Sequence, residues 1–271
     1  MHSAFIAYKS SKIHYIFFGA GKKLLLCLHG YNGSCFSFNF LQNDLPEEYS
    51  LVALDLPFHG KTIWNEGLLF EMSDLLAIIE KITIHHFPGI KKYLIMGFSM
   101  GGRLALSILQ HIPQRIERLI LLAPDGLKVN AWYWLATQSL AGNKLFDFTM
   151  NNPRWFFYLL RFAYKAGIIN HSVFKFSEYY IQNEPFRRQL YETWTCMRKF
   201  KPAIPAIKRS IRKYDIKTRL LYGQYDRIIV HSRGAIFRKG IEAHCDLKIL
   251  DCGHQVLQHR NAAVIVSAVQ L

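Results

Sequence analysis

The sequence predicts an α/β protein with a mainly parallel central sheet and helices on both of its faces. Three observations predict it. Short apolar runs alternate with stretches of helical periodicity, the order that builds βαβ units. The runs at 24–28 and 51–54 are continuously apolar rather than alternating, as strands covered on both faces require. Several of these runs also stop at punctuating residues: His29-Gly30, Asp55, and Ala123-Pro124-Asp125-Gly126.

Taken in order, residues 4–8 and 13–18 read as two strands of an opening hairpin or meander. Buried strands follow at 24–28 and 51–54. A helix over 72–84 places Leu75, Leu76, Ile79 and Ile82 at helical spacing, with Ser73 as its expected cap. A third apolar strand at 93–96 runs into a helix at 101–110 after almost no loop, and a fourth lies at 119–122. Beyond a dissimilar segment the alternation resumes: a strand at 219–222, a helix near 232–241, a strand at 247–250, and a last helix from about Gln258 to the end.

The 271 residues suffice to bury a large core, and 51% hydrophobic with 20% charged residues is the composition of a folded domain. No repeat or Pro-rich linker divides the chain. Residues 1–12 lack a signal peptide's pattern, and no apolar run approaches the roughly 18 residues of a membrane span. Five scattered cysteines (Cys27, Cys35, Cys196, Cys245, Cys252) without a C-x-x-C pair favour reduced thiols and a cytoplasmic location.

The formal charge of +15 is unevenly placed. Residues 127–214 hold 15 Lys and Arg against four Asp and Glu, and aromatic residues crowd the same stretch. The stretch reads as helices, because Trp155, Leu159, Phe162 and Ala166 fall on one face.

The strongest chemical signal is Gly97-Phe98-Ser99-Met100-Gly101, between a predicted strand and a predicted helix. A sharp turn there strains the serine backbone and exposes its hydroxyl, while flanking glycines admit close backbone neighbours. The helix N-terminus favours negative charge beside the serine. A turn-capping serine is the structural alternative.

With that motif the chain resembles the α/β-hydrolase family from Lys23 to about the C-terminus. His29-Gly30-Tyr31 is similar to the family's loop after the third strand, and Asp55-Leu56-Pro57-Phe58-His59-Gly60 to its D-x-P-G-x-G element, with Phe58 in place of a glycine. The resemblance implies an oxyanion hole from the backbone N–H groups of Met100 and Tyr31. It implies a general base late in the chain, and position selects His254 in Asp251-Cys252-Gly253-His254 over the other histidines. The orienting acid is expected at Asp226, in a G-x-x-D-like loop, with Asp125 as competitor. His29 and His59 are read as loop-fixing, Cys35 and Cys252 as packing residues, and no metal or cofactor is expected because His85-His86 has no partner ligands at a recognisable spacing.

By the same resemblance the domains are a core of residues 1–126 and 206–271 and a helical cap, 127–205, inserted after the sixth strand. The cap's aromatics suggest a small-molecule substrate with a hydrophobic moiety. Its charge has three readings: a solvated surface, peripheral contact of Arg154, Arg161 and Lys165 with anionic membrane, or recognition of an anionic substrate. Arg103 bears on the last, because Ser99-Met100-Gly101-Gly102-Arg103 resembles the menaquinone-pathway synthase of this fold, whose arginine helps hold a carboxylate. The expected activity is cleavage of a carboxylic ester or related acyl bond through an acyl-enzyme. C–C bond hydrolysis or lyase chemistry with the same triad is the alternative, and a non-catalytic binding protein the alternative of another class. Nucleic-acid binding is not expected, since no recognition motif accompanies the charge.

Overall fold

The computed structural model describes residues 1–128, 131–169 and 171–270. Val129, Asn130 and Asn170 of the expected insertion, and Leu271 of the expected last helix, lie outside the described residues. In chain order the elements are β1 (His2–Tyr8), β2 (Ser11–Phe18), β3 (Lys23–Leu28), β4 (Tyr49–Leu54), α1 (Met72–His86), β5 (Tyr93–Phe98), α2 (Met100–His111) and β6 (Ile116–Leu122). There follow α3 (Ala131–Gln138), α4 (Leu140–Asn151), α5 (Arg154–Lys165), α6 (His171–Gln182), α7 (Glu184–Cys196) and α8 (Ile204–Lys213). The chain closes with β7 (Lys217–Gly223), α9 (Ser232–Arg238), β8 (Cys245–Leu250) and α10 (Ala262–Gln270).

The eight strands form one sheet in the order β1-β2-β4-β3-β5-β6-β7-β8. Only β1 with β2 and β2 with β4 pair antiparallel; from β4 onward every pairing is parallel. Every residue of β4 and β5, and all but the first of β3, is buried. Successive strand side chains point to opposite faces, so such strands are covered on both sides. The chain steps from β3 to β4 on one side and returns to β5 on the other. That reversal falls at the C-terminal ends of β3 and β5, the kind of switch point at which open α/β sheets hold their ligands.

Several boundaries differ from expectation for local reasons. Ser73 does not cap α1: Glu71 is the N-cap, in a capping box with Asp74. Asp74 is held there because it also accepts from Tyr8 Oη (2.6 Å) and Lys9 Nζ (2.7 Å), tying the helix to β1. The last helix begins at Ala262, after a 3₁₀ turn at His259–Asn261. Helix α8 lies at the junction between the basic segment and the resumed alternation, where no separate helix is expected from the sequence. Its Pro205 in the first turn and buried Ile207 and Ile211 give it a start and an inner face.

The described residues form two compact units. One comprises Met1–Glu66, Phe70–Lys128 and Lys199–Leu271, and holds the whole sheet; the other comprises Gly67–Leu69 and Val129–Arg198. The second unit is helical, organised around a ring cluster in which Trp194 meets Tyr133 (5.2 Å between centroids) and Phe146 (5.7 Å). Only eight Lys and Arg, against four Asp and Glu, fall within Val129–Arg198. The remaining cations of the basic stretch, four of them on α8, belong to the first unit. The five cysteines are free and buried. Among the described residues no helix is long and apolar enough to cross a membrane.

Candidate active site

Loops at the C-terminal ends of β3, β5, β7 and β8 bring the candidate residues together within the first unit. Ser99 is the single residue between β5 and α2, and its backbone sits at φ 50°, ψ −115°. A non-glycine residue held there stores strain, on the order of 1–3 kcal/mol. Three backbone bonds of 2.9 Å hold it: Ser99 N donates to Leu122 O, while Ser99 O accepts from Gly102 N and Asp125 N. The flanking glycines are needed for space. A Cβ on Gly101 would stand 2.0 Å from Leu28 O, and one on Gly97 would stand 2.5 Å from Gly101 O.

His254, in the loop after β8, places Nε2 3.1 Å from Ser99 Oγ and Nδ1 2.8 Å from Asp226 Oδ2. The other oxygen of Asp226 accepts from the N–H groups of Ile228 (2.8 Å) and Ile229 (2.9 Å). Burial works to raise the pKa of Asp226, but the hydrogen bonds from His254 and these two amides, with the attraction of a charged His254, hold it below the ordinary carboxylate value. An ionised carboxylate only accepts, so Nδ1 of His254 carries a proton, and in the neutral imidazole Nε2 is free to accept from the Ser99 hydroxyl. The β7 and β8 loops are fastened together by Gln224 N to Leu250 O (2.8 Å) and Tyr225 N to Cys252 O (3.0 Å).

The competing acid lies apart from this chain. Asp125 accepts from Arg103 Nη2 (2.7 Å) and from Gly126 N (2.7 Å), and no bond joins it to His254. This pair also bears on Arg103, whose side chain is buried and whose guanidinium is engaged by Asp125.

Met100 opens α2, so its N–H has no partner one helical turn back. Gly30 lies against the serine: a side chain there would come 3.1 Å from Ser99 Cβ and 2.9 Å from the Phe98 ring, and Tyr31 is the next residue. Met100 thus follows Ser99 directly, and Tyr31 follows the residue that lies against it.

His29 and His59 fix loops. His29 is fully buried; Nδ1 donates to Gly30 O (2.7 Å) while Nε2 accepts from Leu56 N (3.1 Å), and burial lowers its pKa. His59 Nδ1 donates to Pro57 O (2.9 Å); burial, then repulsion from His29, pushes its pKa down to about 3. Phe58 takes φ 64° at the position where the motif usually has glycine. Gly60 shows why small residues recur in this element, because a Cβ there would meet Asp55 Oδ2 at 2.0 Å.

Sequence reasoning missed the anchor beneath that loop. His14 Nδ1 donates to Asp55 Oδ2 (2.6 Å), and Asp55 also accepts from Cys35 N (2.6 Å) and Lys61 N (2.8 Å). His14, Cys35 and Asp55 form the one group among the described residues compact enough to hold a metal ion. Asp55 already receives three short hydrogen bonds, which gives the cluster a structural role. No sequence signal joined His14 to Asp55, because the pairing arises only from the register of β2 on β4. The rings of His85 and His86 meet edge to face, and His86 Nε2 bonds Tyr15 Oη (2.8 Å).

The family model for the α/β hydrolase fold matches residues 23–257. The chain belongs to the α/β-hydrolase fold family. This α/β hydrolase is 30% identical over 106 residues to the uncharacterized hydrolase YugF of Bacillus subtilis (strain 168), covering 39% of this chain and 38% of that protein. It is 34% identical over 110 residues to a Bacillus subtilis protein provisionally named 2-succinyl-6-hydroxy-2,4-cyclohexadiene-1-carboxylate synthase, covering 38% of each. Both matches thus span well under half of the relatives' own length. A 2-hydroxy-6-oxononadienedioate/2-hydroxy-6-oxononatrienedioate hydrolase of Escherichia coli O139:H28 (strain E24377A / ETEC) is 26% identical over 91% of this chain and 85% of its own. Among solved structures, the thioesterase domain from the curacin biosynthetic pathway superposes with a TM-score of 0.68 at 18% identity, covering 100% of this chain and 99% of that one. That likeness concerns the fold.

Proposed function

We propose that this α/β hydrolase is a serine hydrolase that cleaves a carboxylic ester or related acyl bond through an acyl-enzyme on Ser99. The observation that carries the reading is the continuous hydrogen-bonded chain from Ser99 Oγ through His254 to buried Asp226. In this mechanism Ser99 Oγ attacks the carbonyl carbon as its proton passes to His254 Nε2, and the charge of Asp226 stabilises the imidazolium. The tetrahedral oxyanion is received by the N–H groups of Met100 and Tyr31, each such donor typically worth ~3 kcal/mol. His254 then protonates the leaving alcohol, the acyl group stays on Ser99, and a water deprotonated by His254 releases the acid.

The helical segment 127–205 is proposed as a cap supplying the pocket for a hydrophobic substrate moiety. This rests on its place in the chain, between β6 and β7, and on its aromatic content. A second reading, C–C bond hydrolysis or lyase chemistry on an anionic substrate with the same three residues, is favoured by the near full-length similarity to a protein named as a dienedioate hydrolase. The engagement of Arg103 by Asp125 speaks against an arginine-held carboxylate. A panel of neutral acyl esters, thioesters and vinylogous diketo acids separates the readings. We expect turnover of neutral esters, abolished in Ser99→Ala; turnover confined to the diketo acids would favour the second.

A further inference from the structure

Helix α5 divides its surface into three sectors. At about 100° per residue, Leu160 and the partly covered Phe156, Phe157 and Ala163 make the inner side. This side faces its neighbours within the unit, where Tyr164 stacks on Phe174 of α6 (4.6 Å between centroids) and its hydroxyl meets His171 Nδ1 (3.0 Å). Beside it runs a row of exposed cations, Arg154, Arg161 and Lys165. Beyond the cations lies an apolar sector that is left exposed among the described residues. Tyr158 is 74% exposed, Phe162 66%, and Leu159 51%, with Trp155 at its edge and Ile168, 71% exposed, just past the helix end. The helix contains no acidic residue, and among the described residues none of its three cations is ion-paired.

We propose that this face docks on an anionic lipid bilayer, with Trp155, Tyr158, Leu159 and Phe162 entering the headgroup–acyl boundary and the cation row meeting lipid phosphates. An interface of this kind answers both exposed sectors at once: apolar burial for the rings and Leu159, and negative charge at the adjoining level for the cations. Aromatic residues favour that depth because they carry an apolar body and, in Trp and Tyr, a polar edge. A second copy of the chain is a poorer occupant. A two-fold contact through this face would bring two rows of unpaired cations together in a molecule of formal charge +15. The docking needs no chemistry at Ser99, so it stands or fails apart from the proposed reaction.

The test is sedimentation of the full chain with vesicles of phosphatidylglycerol and phosphatidylcholine. Binding is expected at 0.01 M salt and should weaken at 0.1 M, as the Debye length contracts from ~30 Å to ~10 Å. The triple variant Arg154→Gln, Arg161→Gln, Lys165→Gln should lower the partition coefficient on the order of a hundredfold. The pair Leu159→Ser and Phe162→Ser, which leaves the charge intact, should lower it on the order of a hundredfold as well. A control that removes three exposed cations of the first unit, Lys22→Gln, Lys91→Gln, Lys92→Gln, should change it far less. Equal losses in the control and the α5 triple variant would overturn the proposal, since binding would then follow total charge. So would absence of binding at low salt, or self-association, measured by light scattering, that Leu159→Ser and Phe162→Ser abolish while vesicles are ignored.

Discussion

The two units read differently from the same kind of pattern. In the sheet unit an apolar run means burial: β3, β4 and β5 are apolar in sequence and enclosed in the fold. In the helical unit the pattern locates helices but misleads about what they bury. The spacing of Trp155, Leu159, Phe162 and Ala166 marks one face of α5, yet all four are exposed, and the buried member of the helix is Leu160. A strand in a covered sheet has neighbours on both faces, so apolar and buried coincide. A helix in a thin bundle has one covered side, and an apolar residue on the other is left to solvent or to a partner.

The largest effect that could break this comparison lies in the sheet unit's site. Asp226→Asn should lower kcat by about 10⁴-fold, because the neutral amide no longer stabilises the imidazolium and can fix the wrong tautomer. Asp125→Asn should leave kcat within a few fold and instead lower stability, since it strips the buried Arg103 of its counter-charge. Steady-state kinetics and urea unfolding of both variants check this; the reverse pattern would move the orienting acid to the β6 loop.

A smaller effect sharpens the contrast within α5. Leu160→Ala should cost about 2–5 kcal/mol as a buried deletion, whereas Phe162→Ala should change stability by about 0.5 kcal/mol or less. Denaturant midpoints of the two variants measure it directly. Equal costs would mean that Phe162 is covered in solution and that the sectors of α5 are misassigned.

Much of the fold was legible because the sheet unit states its elements redundantly. Continuous apolar runs, turn residues and the glycine-flanked serine all indicate the same strand–helix order. The placement of Ser99 and His254 in loops at the strand ends was legible, because a serine elbow and a loop beyond the last strand each have a local signature. For the carboxylate beside His254, the loop pattern favoured Asp226 but left Asp125 as a competitor. Asp125 and Asp226 both follow strands, and the choice depends on which carboxylate the fold turns toward His254. The pairing of Arg103 with the Asp125 carboxylate 2.7 Å away was illegible too, because its place in the motif says nothing of that neighbour. The His14–Asp55 anchor and the capping of α1 by Glu71 were illegible, because each depends on contacts between residues distant in the chain.

The central assignment is Ser99 as an activated nucleophile, and covalent labelling tests it most directly. The chain, treated with a fluorophosphonate and digested, should carry a single organophosphoryl adduct, located by mass spectrometry on the peptide containing Ser99. The Ser99→Ala protein, folded by circular dichroism, should carry none. An adduct that persists in Ser99→Ala, or wild-type protein that stays unlabelled while folded, would contradict the assignment.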